Sequence, residues 1–293
     1  MMTKHIITAV KGFFMGAANV VPGVSGGTIA LITGIFNEII EALNSLMVPS
    51  NWKTLLKGRF REFWHNIHGG FIVALGIGVV ASVFSLAKLM TYVLEYFPIQ
   101  TWAFFFGLII ASAILMLRDI KGWKVKDAVF AILGIVLGIA VCKLSPTETP
   151  DDMWFIAVCG AIAICTMILP GVSGSFILLI LGKYNYIMDS ISSLNWPVLA
   201  VFGFGCVVGI MAFTKFLHWL LARYERATML VLLGFILGSL IKVWPWSNPD
   251  AICASQHLEA GSQYAPYYGA AALWCIVGVA LVLGIDYLGR KKS

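Results

Sequence analysis

Val21-Pro22-Gly23-Val24-Ser25-Gly26-Gly27-Thr28-Ile29-Ala30-Leu31-Ile32-Thr33-Gly34 returns 148 positions later as Leu169-Pro170-Gly171-Val172-Ser173-Gly174-Ser175-Phe176-Ile177-Leu178-Leu179-Ile180-Leu181-Gly182. The register holds beyond the motif: Asn37 falls on Asn185, Ile39 on Ile187 and Glu41 on Asp189. One such motif is a turn. Two in register mark a duplicated site.

Proline lacks an amide donor and disfavours helix in the residue before it, so Val21-Pro22 and Leu169-Pro170 end incoming helices. The glycines then let other groups approach the backbone. Ser25 and Ser173 are placed to cap the outgoing helices. The first backbone amides of such helices have no partner within the helix and carry the positive end of its dipole, which suits an anion. The residues expected to hold it are Pro22, Gly23, Val24, Ser25, Gly26, Gly27 and Thr28 in one copy and Pro170, Gly171, Val172, Ser173, Gly174 and Ser175 in the other.

Around these motifs the 293 residues are 60% hydrophobic and only 12% charged, with a mean hydropathy of +0.90. That leaves too little polar surface for a water-soluble globule, so an all-α integral membrane protein is expected. Apolar segments fall at about 6–20, 24–46, 69–90, 99–117, 128–143, 153–169, 172–192, 197–218, 227–244 and 268–288, five in each half. Most are long enough to cross the hydrocarbon as helices. The net charge of +6 sits mostly in short loops and reports topology, so nucleic acid is not an expected partner. The six cysteines show neither a disulfide framework nor metal-ligand spacing, and Cys253 is expected in a loop.

Beyond the loop 44–68 the repeat resumes at an offset of 127, with Gly76-x-Gly78 on Gly203-x-Gly205, Lys88 on Lys215, Gly107 on Gly234 and Ser112 on Ser239. The shift from 148 to 127 means that the first half carries about 21 extra residues. They form a loop with Lys53, Lys57, Arg59, Arg61, Trp52, Phe60, Phe63 and Trp64, read either as an interfacial segment on an anionic leaflet or as a solvated loop.

The positive-inside rule places this loop, the cluster from Arg118 to Lys126, Arg223 and Arg226, and both termini in the cytoplasm. Each motif then lies in a segment pair that crosses an even number of times, either as two full spans or, the reading favoured here, as a re-entrant helical hairpin, about 6–46 and 153–192. The expected architecture is an inverted-topology repeat, residues 1–146 and 147–293, each half a re-entrant hairpin followed by three transmembrane helices.

Polar residues in apolar runs add candidates. Asn37 and Asn185 recur in register, and Lys88 and Lys215 are placed to receive an anionic head group at opposite mouths of a pathway. Glu41 and Asp189, with Glu38, are candidates for coupling to a proton or to sodium; Glu38 has no partner acid, since Tyr186 takes its place. No nucleotide-binding motif or cofactor signature appears. The repeated Gly-Val-Ser-Gly also admits a serine hydrolase, but the histidines, at 5, 65, 68, 218 and 257, lie in loops or at segment ends, so no catalytic residue is expected.

At these paired Pro-Gly-Val-Ser-Gly-Gly/Ser motifs the chain resembles the PopT family of bacterial polyprenyl-phosphate transporters, formerly a domain of unknown function. The resemblance covers nearly the whole length. It implies a multi-pass protein of the bacterial plasma (inner) membrane that returns undecaprenyl phosphate, the carrier lipid of cell-wall synthesis, from the outer to the cytoplasmic leaflet. The residues alone leave open an ion-coupled transporter of a small anion or other solute. The second copy departs at Ser175 and Phe176, where the first has Gly27 and Thr28, so the two half-sites are not expected to be equal.

Overall fold

The computed structural model describes residues 2–20, 25–120, 122–145 and 149–290, and among them every regular element is helical. Four helices are α1 (Met2–Val20), α2 (Gly26–Ile32), α3 (Phe36–Leu46) and α6 (Gly69–Tyr96), with α4 (Pro49–Leu56) and α5 (Phe60–Asn66) in the extra loop. Then come α7 (Pro98–Asp119), α8 (Val125–Cys142), α9 (Met153–Ile168), α10 (Gly174–Ile180), α11 (Tyr184–Ser192), α12 (Trp196–Val243), α13 (Pro249–Ser255) and α14 (Tyr268–Arg290). Segments of α6, α7, α8 and α12 are long and apolar enough to cross a bilayer. They carry exposed apolar residues such as Ile77, Phe84, Ile114, Val129, Ile132 and Phe204, a distribution that suits lipid and not water. The chain is a multi-pass membrane protein.

Two features depart from the expected segments. The run 24–46 is not one helix: α2 and α3 meet at 115°. Here Gly34 takes φ 72°, its amide bonds the Leu31 carbonyl and the Ile35 amide bonds that of Ala30, closing the end of α2. Gly182, with φ 64°, and Lys183 close α10 in the same way on Leu179 and Leu178. Local turn chemistry thus overrides an uninterrupted hydropathy signal. Second, Cys253 belongs to α13 and is buried, its thiol directed at the Ser262 carbonyl. All six cysteines are free. The run α12 is two helices joined at Tyr224, which is non-helical (φ −137°, ψ 42°), in keeping with the separate segments 197–218 and 227–244 expected from hydropathy. Phe97, 127 positions earlier, has φ −134° and ψ 50° between α6 and α7. The same backbone break therefore recurs, followed by Pro98 in the first half and by Glu225 in the second.

The chain forms two compact units, Met1–Phe84 with Lys143–Met229, and Ser85–Cys142 with Leu230–Ser293. In the first unit, α1 packs on α6 where Gly12 lies against Leu75 and Gly78 against Ala9. The same contacts join α9 to α12, where Gly160 lies against Phe202 and Gly205 against Ala157. Every one of these residues is displaced from its counterpart by 148 on the hairpin helix or by 127 on its partner. In the second unit, Gly107 of α7 packs on Cys275 of α14, and its counterpart Gly234 of α12 packs on Ala131 of α8. Small residues let these helices approach at backbone distance, the usual means of helix association where lipid supplies no hydrophobic drive.

Candidate functional site

Both motif copies lie in the first unit and touch. α9 ends at Ile168; Leu169 is extended (φ −67°, ψ 128°), as the following Pro170 requires, and Gly171 turns the chain with φ 94°. The last carbonyls of a helix lack intrahelical donors. Here the Ser25 hydroxyl donates to the Leu169 carbonyl at 3.1 Å. Gly27 lies so close that an added Cβ would stand 2.7 Å from the Ile168 carbonyl oxygen. One residue further, the Thr28 hydroxyl oxygen accepts the Gly171 amide at 2.8 Å. Ser25 and Thr28 are both buried. The positive pole of α2 thus lies against the carbonyl end of α9, a favourable placement of opposite partial charges.

The expectation of open amides at both helix starts is corrected at α2. The Gly26 amide donates to Asn19 Oδ1 at 2.8 Å, the Gly27 amide to Ser25 Oγ at 3.2 Å and the Thr28 amide to the Ser25 carbonyl at 3.0 Å. Ser25 caps as expected, but Ser173 does not: its side chain makes no cap bond and instead pairs with the Ser175 hydroxyl at 2.6 Å. Ser175 occupies the place of Gly27, so a second hydroxyl is available there to compete with the cap. Ser173 is half-buried and Ser175 exposed, so the second copy presents two hydroxyls outward where the first is consumed in joining the loops. Pro170, Gly171, Val172 and Gly174 are buried around them. Pro22, Gly23 and Val24 lie outside the described residues.

The remaining candidates are dispersed. Asn37 Nδ2 donates to Glu225 Oε1 at 3.2 Å, linking α3 to the kink of α12, while Asn185 is exposed on α11. Glu38 pairs with Lys4 at 2.9 Å; Glu41 and Asp189 are exposed. Lys215 is exposed on α12, and the Lys88 side chain lies outside those described. Among the described residues no group of metal-ligating side chains occurs. Neither motif serine bonds a histidine: Ser25 meets Leu169 and Gly27, and Ser173 meets Ser175.

Comparing equal positions missed two lysines. Lys11 Nζ on α1 donates to the Thr33 carbonyl at 2.6 Å, at the carbonyl end of α2. In the second copy position 11 corresponds to Cys159, and the ammonium comes instead from Lys183, which is buried and donates to the Thr149 carbonyl and to Asp151. The Thr149 hydroxyl in turn bonds Leu181, the counterpart of Thr33. A cation thus sits beside the elbow of each hairpin, supplied from the long helix in one and from the elbow in the other. A repeat search aligns residue with residue and cannot register that exchange.

A family model described as undecaprenyl phosphate translocase-like matches residues 15–260. A polyprenyl-phosphate transporter of Vibrio cholerae serotype O1 is 37% identical over 303 aligned positions, covering 98% of both chains. A polyprenyl-phosphate transporter of Staphylococcus aureus is 33% identical over 260 positions, covering 82% of this chain and 86% of that one. Both are named as transporters and not as enzymes, and no solved structure matches. With the model spanning most of its length and a relative aligned from end to end, the chain belongs to the undecaprenyl phosphate translocase-like family.

Proposed function

We propose that this protein carries an anionic polyprenyl phosphate, undecaprenyl phosphate in the first instance, from the outer to the cytoplasmic leaflet of the bacterial inner membrane. The observation that supports this reading is the joint between the motif loops, where Thr28 and Ser25 hold the end of α9 and leave Ser173 and Ser175 outward. Two adjacent hydroxyls donate to phosphate oxygens without a metal or a resident cation, and the isoprenoid tail remains in lipid. The motif residues Pro22 to Thr28 and Pro170 to Ser175 form the binding region in this reading.

The two halves act as inverted repeats, each a re-entrant hairpin and three spans, with both termini cytoplasmic. Alternating access comes from rocking of the helices around the joined loops. The crosswise recurrence of the Gly12–Leu75 contact at Gly160–Phe202 favours a common plan for the halves. Coupling uses a proton or sodium, with Glu38, Glu41 and Asp189 as the candidate carboxylates. Lys88 and Lys215 meet the head group at the two mouths.

The test is Ser173→Ala combined with Ser175→Ala, reconstituted into vesicles with labelled polyprenyl phosphate. Translocation should fall at least about tenfold, on the scale of one to two lost charge-assisted hydrogen bonds, while the thermal midpoint is kept. Unchanged translocation by the double variant would move the phosphate away from this joint.

A further inference from the structure

The extra loop of the first half does not take part in the joint, yet it is built. α4 and α5 pack together through Trp52 and Phe63, whose ring centroids lie 5.5 Å apart. Gly58 turns between them with φ 73°, its amide on Leu55 and the Arg59 amide on Thr54. In the second half only Ser193, Leu194 and Asn195 separate α11 from α12, so nothing corresponds to this pair.

Its surface is unusual in two respects. Each helix exposes an apolar pair one turn apart: Trp52 and Leu56 on α4 are 47% and 86% exposed, and Phe60 and Trp64 on α5 are 68% and 50% exposed. Lys53, Lys57, Arg59 and Arg61 are exposed beside them, with Glu62, which meets Arg59 at 3.5 Å, the one acid on either helix. Arg59, Phe60, Arg61 and His65, together with Glu62 and Asn66, line a shallow, open cleft of about 620 Å³. In water such a face would be an association hazard. Bulky apolar residues beside a dense basic cluster instead match a headgroup layer with acyl chains beneath it, and the loop is tethered by α3 before it and the apolar α6 after it.

We infer that α4 and α5 form a docking surface for acidic phospholipid, with Leu56 and Phe60 entering the acyl boundary and Arg59, Arg61 and His65 holding a lipid phosphate in the cleft. The occupant is the bulk anionic lipid of the leaflet and not the transported molecule. Since the second half lacks the pair, only one half grips its leaflet in this way.

The full-length protein in nanodiscs supplies the test, read by hydrogen exchange of residues 49–66. Exchange should be several-fold slower in discs containing phosphatidylglycerol than in discs of phosphatidylcholine alone, and raising salt to about 1 M should erase the difference, because it shortens the screening length to about 3 Å. Lys53→Gln, Lys57→Gln, Arg59→Gln and Arg61→Gln together should abolish the lipid dependence, with exchange in α6 and α12 reporting that the fold is kept. Equal exchange in both lipids, or a lipid dependence indifferent to salt, overturns the inference. Should the fourfold variant misfold, the salt series on the unaltered protein decides alone.

Discussion

The hydroxyl oxygen of Thr28 accepts the amide proton of Gly171 at 2.8 Å, across 143 positions of sequence. The bond runs one way only, because the counterpart of Thr28 in the second copy is Phe176. With Ser25 on the Leu169 carbonyl, it makes the start of α2 a clamp on the end of α9. Ser25 and Thr28 of the first copy thus hold the backbone of the second, and the asymmetry follows from positions at which the copies differ.

Replacing Thr28 by valine keeps the shape and removes the acceptor, leaving a buried amide on Gly171 without its partner. The loss should be about 1–3 kcal/mol, the cost of an unsatisfied buried polar group. Thr28→Ser should recover most of it. Thermal unfolding in detergent of the three proteins distinguishes the hydroxyl from the methyl, and equal midpoints for threonine and valine would remove the clamp from the account.

Glycine spacing gives a contrast within one tripeptide. A Cβ on Gly205 would overlap the Ala157 carbonyl, whereas one on Gly203 meets nothing within 4 Å. Gly205→Ala should lower stability by several kcal/mol or prevent accumulation of folded protein, because a backbone carbonyl cannot move aside as a side chain can. Gly203→Ala should be neutral, or stabilising by up to about 1 kcal/mol through helix propensity. Folded yield by fluorescence size exclusion separates the two, and the same pattern is expected for Gly78 against Gly76.

Lys183 is 3% exposed and ties Thr149 and Asp151 to the elbow between α10 and α11. Lys183→Met should loosen residues 149–152 and raise proteolysis there. Asp151→Asn should have the smaller effect, since its carboxylate is 68% exposed and solvent takes over much of its role. Protease digestion of sealed vesicles followed by mass spectrometry reads both, and equal cleavage rates for Lys183→Met and the unaltered protein would show that the strap is not needed.

Asn37 and Glu225 should be energetically coupled, by about 0.5–1.5 kcal/mol, in a double-mutant cycle of Asn37→Ala and Glu225→Gln. Strict additivity of the two thermal shifts would mean that the 3.2 Å contact contributes nothing to holding α3 at the kink.

Much of the helical plan was legible because its signals are local or periodic. Apolar length marked α6, α7, α8 and the two parts of α12, and Val21-Pro22 and Leu169-Pro170 marked where α1 and α9 end, since proline acts on its immediate neighbours. The recurrence of Gly12–Leu75 as Gly160–Phe202 was implicit in the offsets 148 and 127, although neither offset alone says that the helices touch. The elbow after α2 was obscured by its own hydrophobicity: Thr33-Gly34 is a weak break in an apolar run, and only the positive φ of Gly34 with the closing bonds on Leu31 and Ala30 reveals it. The role of Ser173 was misread because a serine before a helix signals a cap, while the competing hydroxyl of Ser175 acts through space.

By itself the sequence determined that this is a helical membrane protein carrying a duplicated Pro-Gly-Val-Ser-Gly motif, because hydropathy, helix termination and repetition are written residue by residue. Tertiary structure alone decided that the two motifs meet, that Asn19, Ser25 and Thr28 are spent on backbone groups, and that Lys11 and Lys183 supply the same charge from different places. Each of those outcomes depends on which orphaned amide or carbonyl comes within about 3 Å of which side chain. That distance is set by how helices far apart in the chain pack, and no stretch of sequence carries it.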